Sequence, residues 1–361
     1  MNYSKNNLVN FKYPIQSTKT MLTEKEIKEL REELDSCSRP LIFFHDDPDG
    51  LASFLLFYRY IGEGKGVTLK TSAEMGPEFA RYVESYGPDK VFVLDKPSIS
   101  QDFLDEVKVP VVWVDHHPPV KRTKVKYFNP RVHNPDLNHP ASYLCYQATE
   151  QDLWISMVGT TGDWVVHPNI EEVKKKYTDL LPEDTSRPEE ILFNSKFGKL
   201  ARIFSFCLKG KMDDVKKCFK IMTRIKTPYE LLNQETPQAK FVYKRFKAVD
   251  DEYQATLKDA LKHVTDEKLL FYKYEQNRMS LNQDLSNELM YKFPEKVVII
   301  AREKNGEMKL SLRSSDYNLP PMLQKALDGC EGYGGGHEHA SGANVKADDF
   351  PRFLEQFKAQ L

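Results

Sequence analysis

The stretch that most constrains this chain is Leu41-Ile42-Phe43-Phe44-His45-Asp46-Asp47-Pro48-Asp49-Gly50. Four apolar residues run straight into a histidine, three aspartates, a proline and a glycine. A continuous apolar run of this length reads as a strand buried on both faces, as in parallel sheets. Ligands of open α/β sheets bind outside the carboxyl ends of the strands, which is where the polar residues fall. His45, Asp47 and Asp49 offer one imidazole and two carboxylates, donors suited to a divalent cation. Asp46 raises the charge density further. Taken alone, the stretch also reads as an exposed acidic turn with a Pro-Asp-Gly signal.

Three further apolar runs end in the same way. Val91-Phe92-Val93-Leu94 ends at Asp95, and the run from Val109 to Val114 ends at Asp115-His116-His117. Leu153 to Val158, whose type the apolar pattern leaves open, leads into Gly159-Thr160-Thr161-Gly162-Asp163. If the strands are parallel, each run delivers a carboxylate or an imidazole to one edge of the sheet. Acids at this density repel one another unless something positive neutralises them. One binuclear metal site accounts for all four run ends together.

These residues resemble the DHH family of phosphoesterases. Its members include RecJ-type exonucleases, small-oligonucleotide nucleases, adenosine-bisphosphate phosphatases, cyclic-dinucleotide phosphodiesterases and related inorganic pyrophosphatases. His45-x-Asp47-x-Asp49-Gly50 is similar to the first motif of the family, Asp95 to the second, and Asp115-His116-His117 to the motif that names it. Asp163 is similar to the fourth. Gly334-Gly335-Gly336-His337-Glu338-His339-Ala340-Ser341-Gly342 resembles the signature of the family's second, DHHA1-type domain.

The resemblance implies an α/β fold with three parts. A parallel-sheet DHH catalytic domain is expected over 21–190, a helical connecting region over 191–290, and a smaller α/β DHHA1-type substrate-binding domain over 291–361. The active site is expected in the cleft between the domains. By the same resemblance, His45 and Asp47 hold one metal ion, Asp49, His116 and Asp163 hold the other, and Asp95 bridges them. Two divalent ions are implied, with Mn²⁺ favoured by the two imidazoles and Mg²⁺ as the alternative. Ions about 3.5–4 Å apart would polarise a phosphoryl group and lower the pKa of a bridging water, giving an in-line hydroxide. His117 is left to contact the scissile phosphate or protonate the leaving oxygen, with Asp115 orienting a histidine. In the second domain, Arg313, Gly334, Gly335, Gly336, His337 and Ser341 are the expected substrate-binding residues. The glycines allow close backbone approach and positive φ, and Arg313 offers a guanidinium fork to a phosphate.

Composition narrows the function classes. At 361 residues the chain has room for two domains. A hydrophobic fraction of 40%, a mean hydropathy of -0.57 and the absence of a membrane-length apolar run exclude an integral membrane protein. Met1 to Gln16 lacks the apolar region of a signal peptide. The 5 cysteines are odd in number and have no metal-ligand spacing, which reads as free thiols in a reducing, cytoplasmic compartment. The formal net charge of -1 favours short or single-stranded substrates over long duplexes.

Along the chain, residues 1–20 read as a polar leader. Thr23 with Glu26 forms a capping box before a helix over 24–34. Leu51 to Tyr60 reads as a helix whose N-terminus points at the acidic cluster, an arrangement suited to an anion such as phosphate. Strands at 67–71, 91–94 and 109–114 alternate with helices at 77–86 and 100–107, the βαβ pattern. A long helix is expected within 137–159, and a surface excursion over 167–190. Over 191–290 amphipathic helical patterns take over. Between residues 201 and 260 there are 13 Lys/Arg against 8 Asp/Glu, an ordinary solvated helical face or a mildly positive wall. Tyr229, Phe241, Tyr243 and Phe246 are interleaved there, as core or as base-stacking rings. A strand over 297–301 and its partner over 309–313 flank the hairpin signal Asn305-Gly306. Helices over 321–327 and 350–361 complete the chain.

The leading expectation is a metal-dependent phosphodiesterase or exonuclease that releases mononucleotides from an end of single-stranded or short oligonucleotides, DNA or RNA. The alternatives are a phosphatase for adenosine 3′,5′-bisphosphate, a cyclic-dinucleotide phosphodiesterase, and a non-catalytic scaffold associated with replication. The complete donor set argues against the scaffold. The partners implied are the oligonucleotide itself, with room for a homodimer and for replication or repair proteins, and no membrane.

Overall fold

The computed structural model describes residues 21–70, 74–275 and 279–361. The polar leader over 1–20 and Thr71, the expected end of one strand, lie outside the described residues. The chain divides into two compact units, one ending at Lys247 and the other running from Ala248 to Leu361.

The first unit opens with α1 (Glu24–Asp35). Thr23 Oγ1 accepts from Glu26 N at 3.2 Å while the Glu26 carboxylate accepts from Thr23 N at 2.8 Å, so both halves of the expected capping box are present. Then come β1 (Pro40–His45), α2 (Pro48–Ile61), β2 (Lys65–Leu69), α3 (Ala80–Tyr86), β3 (Lys90–Leu94), α4 (Gln101–Glu106), β4 (Val111–Val114) and β5 (Lys126–Phe128). The five strands form one sheet in the order β2-β1-β3-β4-β5, every pair parallel.

The strand residues alternate between two apolar faces. Leu41 and Phe43 pack with Val91, Val93 and Trp113 against Phe103 and Leu104 of α4. Phe44 points the other way and stacks on Phe54 of α2, ring centroids 4.6 Å apart, and Phe92 meets Phe57 at 5.4 Å. Each fully buried aromatic contributes about 1.5–3 kcal/mol by leaving water. Because both faces are covered, polar groups are confined to the strand ends and edges. The order 2-1-3-4-5 reverses direction between β1 and β3, and the crevice outside the strand ends at such a reversal is where open α/β sheets bind ligands.

A helical layer follows: α5 (Ala141–Thr149), α6 (Leu153–Gly162), α7 (Ile170–Lys176), α8 (Pro188–Asn194), α9 (Lys196–Cys207), α10 (Met212–Met222) and α11 (Pro228–Asn233). Helix α12 (Pro237–Ala260) carries the chain onward. Leu153 to Val158, left open by its pattern, lies in a helix. One expectation is corrected: the long helix expected within 137–159 is two helices. The chain breaks at Glu150 and Asp152, both in the left-handed region with φ of 52° and 57°. Residues 153–161 of α6 are all buried, so this helix shows no polar stripe by which to recognise its period.

The second unit holds a mixed five-stranded sheet in the order β6-β7-β8-β10-β9. Its strands are β6 (Leu269–Glu275), β7 (Val297–Lys304), β8 (Glu307–Arg313), β9 (Gly332–His337) and β10 (Ala340–Lys346). Only β6 and β7 are parallel; the other neighbours are antiparallel. Asn305 and Gly306 turn β7 into β8 as expected, both at positive φ. Helices α14 (Leu319–Ala326) and α15 (Phe350–Lys358) supply Leu323, Phe353 and Phe357 to the core. Strand β6 and helix α13 (Asn282–Lys292) fall inside the stretch expected to be a helical connection, yet β6 pairs with β7 along its whole length. The glycine-rich segment is the edge strand β9, and of its central glycines only Gly336 has positive φ. Among the described residues no helix is long and apolar enough to cross a membrane.

Two glycines fix how α2 and α6 approach the strand ends. A Cβ on Gly50 would sit 2.3 Å from the His45 carbonyl oxygen, and one on Gly162 would sit 2.5 Å from Pro48 Cβ. Replacing Gly50 by Ala forces α2 away from the end of β1, with an expected loss of about 1–3 kcal/mol, the usual cost of overpacking. Urea unfolding should show this as a lower midpoint at unchanged slope; a wild-type midpoint would contradict the contact.

Candidate metal centre

The acidic and histidine residues reach one place by three routes. His45 is the last residue of β1, and Asp47 caps α2, its Oδ1 accepting from Gly50 N at 2.9 Å. Asp49 lies in the first turn of α2 and is fully buried. Asp95 follows β3, its N–H still in the ladder, donating to Val114 O at 2.9 Å. Its φ of 56° is a left-handed backbone that turns the carboxylate over the strand ends. Asp115, His116 and His117 follow β4. Asp163 arrives on the C-cap of α6, not on a strand end.

The six expected donors gather into two groups, His45/Asp47/Asp95 and Asp49/His116/Asp163, each with ligand atoms within 4.8 Å of one another. Asp95 joins them. Its Oδ2 lies 3.5 Å from His45 Nδ1, and its Oδ1 lies 3.3 Å from His116 Nε2. His116 Nε2 is also 3.3 Å from Asp163 Oδ2, and His45 Nδ1 is 2.6 Å from Asp47 Oδ2. His117 forms a third such group with Asp95 and His116.

Burial and crowding set the charges. Burial first, then the Asp95 charge, raises the Asp47 carboxyl and pushes Asp49 up to about 7. Burial and Asp49 raise Asp163 in the same way. Asp95 goes the other way: burial would raise it, but the imidazoles of His116 and His45 hold it well below the carboxylate range. His45 is held up at about 11 against the effect of burial, chiefly by the Asp47 charge. His116 is likewise held well above its ordinary value, against burial, by its contact with Asp95. The pocket therefore favours positive charge wherever it can be placed.

The donor set fits divalent cations. Asp95 Oδ2 is buried and has no hydrogen-bond partner among the described residues, a costly state for a carboxylate oxygen that a cation relieves. Four carboxylates and two imidazoles, with no thiolate, suit Mn²⁺ or Mg²⁺ better than zinc.

Supporting residues hold these donors, and apart from Asp115 the sequence did not single them out. The N-terminus of α5 receives Asp49: Ala141 N donates to Oδ2 at 2.7 Å, Ser142 N donates to Oδ1 at 3.0 Å, and Ser142 Oγ adds a third bond. Asn138 Oδ1 meets His116 Nδ1 at 2.9 Å, which leaves Nε2 facing Asp95 and Asp163. Asp115 is wholly buried and holds His117, accepting from its N–H at 3.0 Å and meeting Nδ1 at 2.8 Å. Behind it, Asn129 Nδ2 donates to the His117 carbonyl at 2.9 Å and to Tyr127 Oη at 2.7 Å. Lys96 is buried beside Asp95, its ammonium lowered by burial and its Nζ donating to Lys70 O at 3.4 Å. The one available signal was Pro140 before Ala141-Ser142, a helix start able to receive an anion.

The second unit collects its expected residues at one corner of its sheet. Ala340 pairs with Arg313 on one side and His337 on the other, and Ser341 pairs with Gly336, Gly342 with Gly335 and Ala343 with Gly334. Arg313 Nε donates to Asn287 Oδ1 at 2.6 Å, and Nη1 donates to Leu312 O at 2.8 Å. Ser341 is buried and donates to His337 O at 3.3 Å, while Gly335 and His337 are exposed.

Comparison with known proteins agrees with this geometry. Residues 39–181 match the DHH family, N-terminal domain, and residues 267–361 match the DHHA1 domain. No curated protein matches the chain. Among solved structures, RecJ from Thermus thermophilus in complex with Mn²⁺ is similar with a TM-score of 0.66 at 14% identity, over 92% of this chain and 54% of that one. This chain thus spans about half the length of that RecJ. An exonuclease RecJ bound to manganese gives 0.62 at 16% identity, over 94% of both chains. A DHH domain from a protein described as a member of a ribosomal-protein family gives 0.64 at 15% identity, over 93% of this chain and 89% of that one. At these identities the structures speak to the fold. The two family matches together span about two thirds of the chain: residues 39–181 carry a DHH family N-terminal domain and residues 267–361 a DHHA1 domain.

Proposed function

We propose that this protein is a metal-dependent phosphodiesterase that releases mononucleotides from an end of single-stranded or short oligonucleotides. The observation that carries the reading is the pair of donor clusters joined through Asp95. His45 and Asp47 would hold one divalent cation, Asp49, His116 and Asp163 the other, and Asp95 both; Mn²⁺ is the favoured ion. Bound there, such ions supply Lewis acidity toward a phosphoryl oxygen and acidify water.

The chain's own residues do the rest. Asp49, locked by the α5 N-terminus, and His116, locked by Asn138, keep their donor atoms in place without rearrangement. His117, one-third exposed and gripped by Asp115, presents a ring nitrogen that donates to the phosphate or hands a proton to the leaving oxygen. Asn129 and Tyr127 back that grip. In the second unit, Arg313, His337, Ser341 and the backbone of Gly334, Gly335 and Gly336 are assigned to the terminal nucleotide by the family resemblance. The expected products are mononucleotides released stepwise from one end.

Three outcomes are expected. Excess chelator should abolish hydrolysis, Mn²⁺ should restore it, and titration should count two ions per chain; full activity in chelator contradicts the reading. Asn138→Ala frees the His116 ring and should weaken metal affinity about 10–100-fold, read by calorimetry with the apo protein's thermal unfolding as the fold control. Finally, end-labelled DNA and RNA of 2 to about 30 nucleotides should shorten stepwise from one end. A circular single strand should resist. Rapid cutting of the circle, or activity confined to adenosine 3′,5′-bisphosphate or a cyclic dinucleotide, would replace this reading with another.

A further inference from the structure

A second concavity lies on the first unit at the sheet edge. Its volume is about 290 Å³, and Phe54 and Tyr58 of α2, Lys65 of β2, and Lys216, Phe219 and Lys220 of α10 line it. The lining is aromatic: Tyr58 and Tyr82 are half-buried there, and the Tyr58 ring lies 5.6 Å from Phe54, which is buried like Phe219. The rim is cationic. Lys216 and Lys220 are exposed. No acidic residue lines the concavity, and among the described residues none of the three lysines is in an ion pair; Lys65 lies over the Tyr86 ring at 5.3 Å.

The strand that borders it leads to the metal centre. β2 is the edge strand, Lys65 stands opposite Leu41, and Leu69 stands opposite His45. At the usual rise per residue the concavity begins about 13 Å from the donor end of the sheet. Lys70, just past β2, pairs with Asp46 at 2.8 Å beside the donors.

The half-buried Tyr58 and Tyr82 rings can meet a planar ring, and a lysine rim with no acid takes an anion. A ligand that is both is a nucleotide. Base stacking on aromatic side chains is tolerant of sequence, and lysines track the phosphates. A concavity at the small end of ligand sites suits one nucleotide and not a folded partner. We infer that this concavity is an accessory subsite for one nucleotide of a single-stranded substrate, several nucleotides from the end held at the metal centre. The inference rests on the nuclease reading above, and it gives the enzyme a preference for strands long enough to span both sites.

The test uses the full chain in excess chelator and fluorescence anisotropy with a labelled single-stranded 20-mer at several salt concentrations. K216E/K220E should bind it about tenfold more weakly, and the dependence of log affinity on log salt should flatten by about 1.4, for two lost phosphate contacts. The charge-matched pair K25E/K28E on α1 should bind like wild type. A 20-mer carrying 5-bromouracil should photocrosslink to the peptides containing Tyr58 or Tyr82. Equal affinity and salt slope for K216E/K220E and wild type overturn the subsite, as does crosslinking confined to other peptides. So does a defect confined to free adenosine monophosphate, which would make the concavity a small-nucleotide site. Hydrolysis of a dinucleotide by the Mn²⁺-loaded wild type separates the two readings. If it proceeds while the subsite fails, the nuclease reading stands; if the wild type neither hydrolyses nor binds any oligonucleotide, both fall.

Discussion

Crowding of like charge is the constraint on which the first unit depends. Asp47, Asp49, Asp95 and Asp163 converge on one pocket with His45 and His116, and isolated buried carboxylates are costly. Each of the first three carries a compensation built into the fold. Asp47 caps a helix, Asp49 sits on the N-terminus of another, and Asp95 lies between two imidazoles. The apolar sheet supplies the rigidity that keeps repelling groups together. Its strands are buried on both faces, so the donor-bearing ends cannot drift without exposing Phe43, Phe44 or Trp113.

Much of this was readable from residue order. Three strand ends carrying Asp or His pointed to one sheet edge, the Asn305-Gly306 turn announced its hairpin, and Thr23 with Glu26 marked the start of α1. The unreadable parts have physical reasons. Helix α6 is buried all round, so its apolar run has no period. Strand β9 is mostly glycine and has few side chains with which to alternate. Strand β5 has three residues, too few for any pattern, and it carries Tyr127 to the Asp115 network. Asn138 and Asn129 are ordinary loop asparagines until the tertiary fold sets them against His116 and His117. Nothing local to either distinguishes it.

The two units solve different problems with different sheets. The all-parallel sheet concentrates polar groups at one edge because its faces are closed. The mixed sheet of the second unit ends in an edge strand with four glycines among its six residues, where Gly335 and His337 are exposed. That leaves backbone groups along β9 approachable, a property a strand of larger side chains would lack. Its core of Phe353, Phe357 and Leu323 lies on the far side from α13 and gives that edge a firm support.

The spacing of the donors along the chain has a consequence for how the first unit resists unravelling. His45, Asp95, His116 and Asp163 are separated by roughly fifty, twenty and fifty residues, and closing loops of that length is entropically costly to an open chain. A ligand gripping all four would act as a removable cross-link, drawing in the first four strands' connections and α6 at once. Because it binds only the folded arrangement, its free energy adds to the cohesion of the whole unit in proportion to occupancy. The chain's endurance and its catalytic competence would then rise and fall together with the supply of cation.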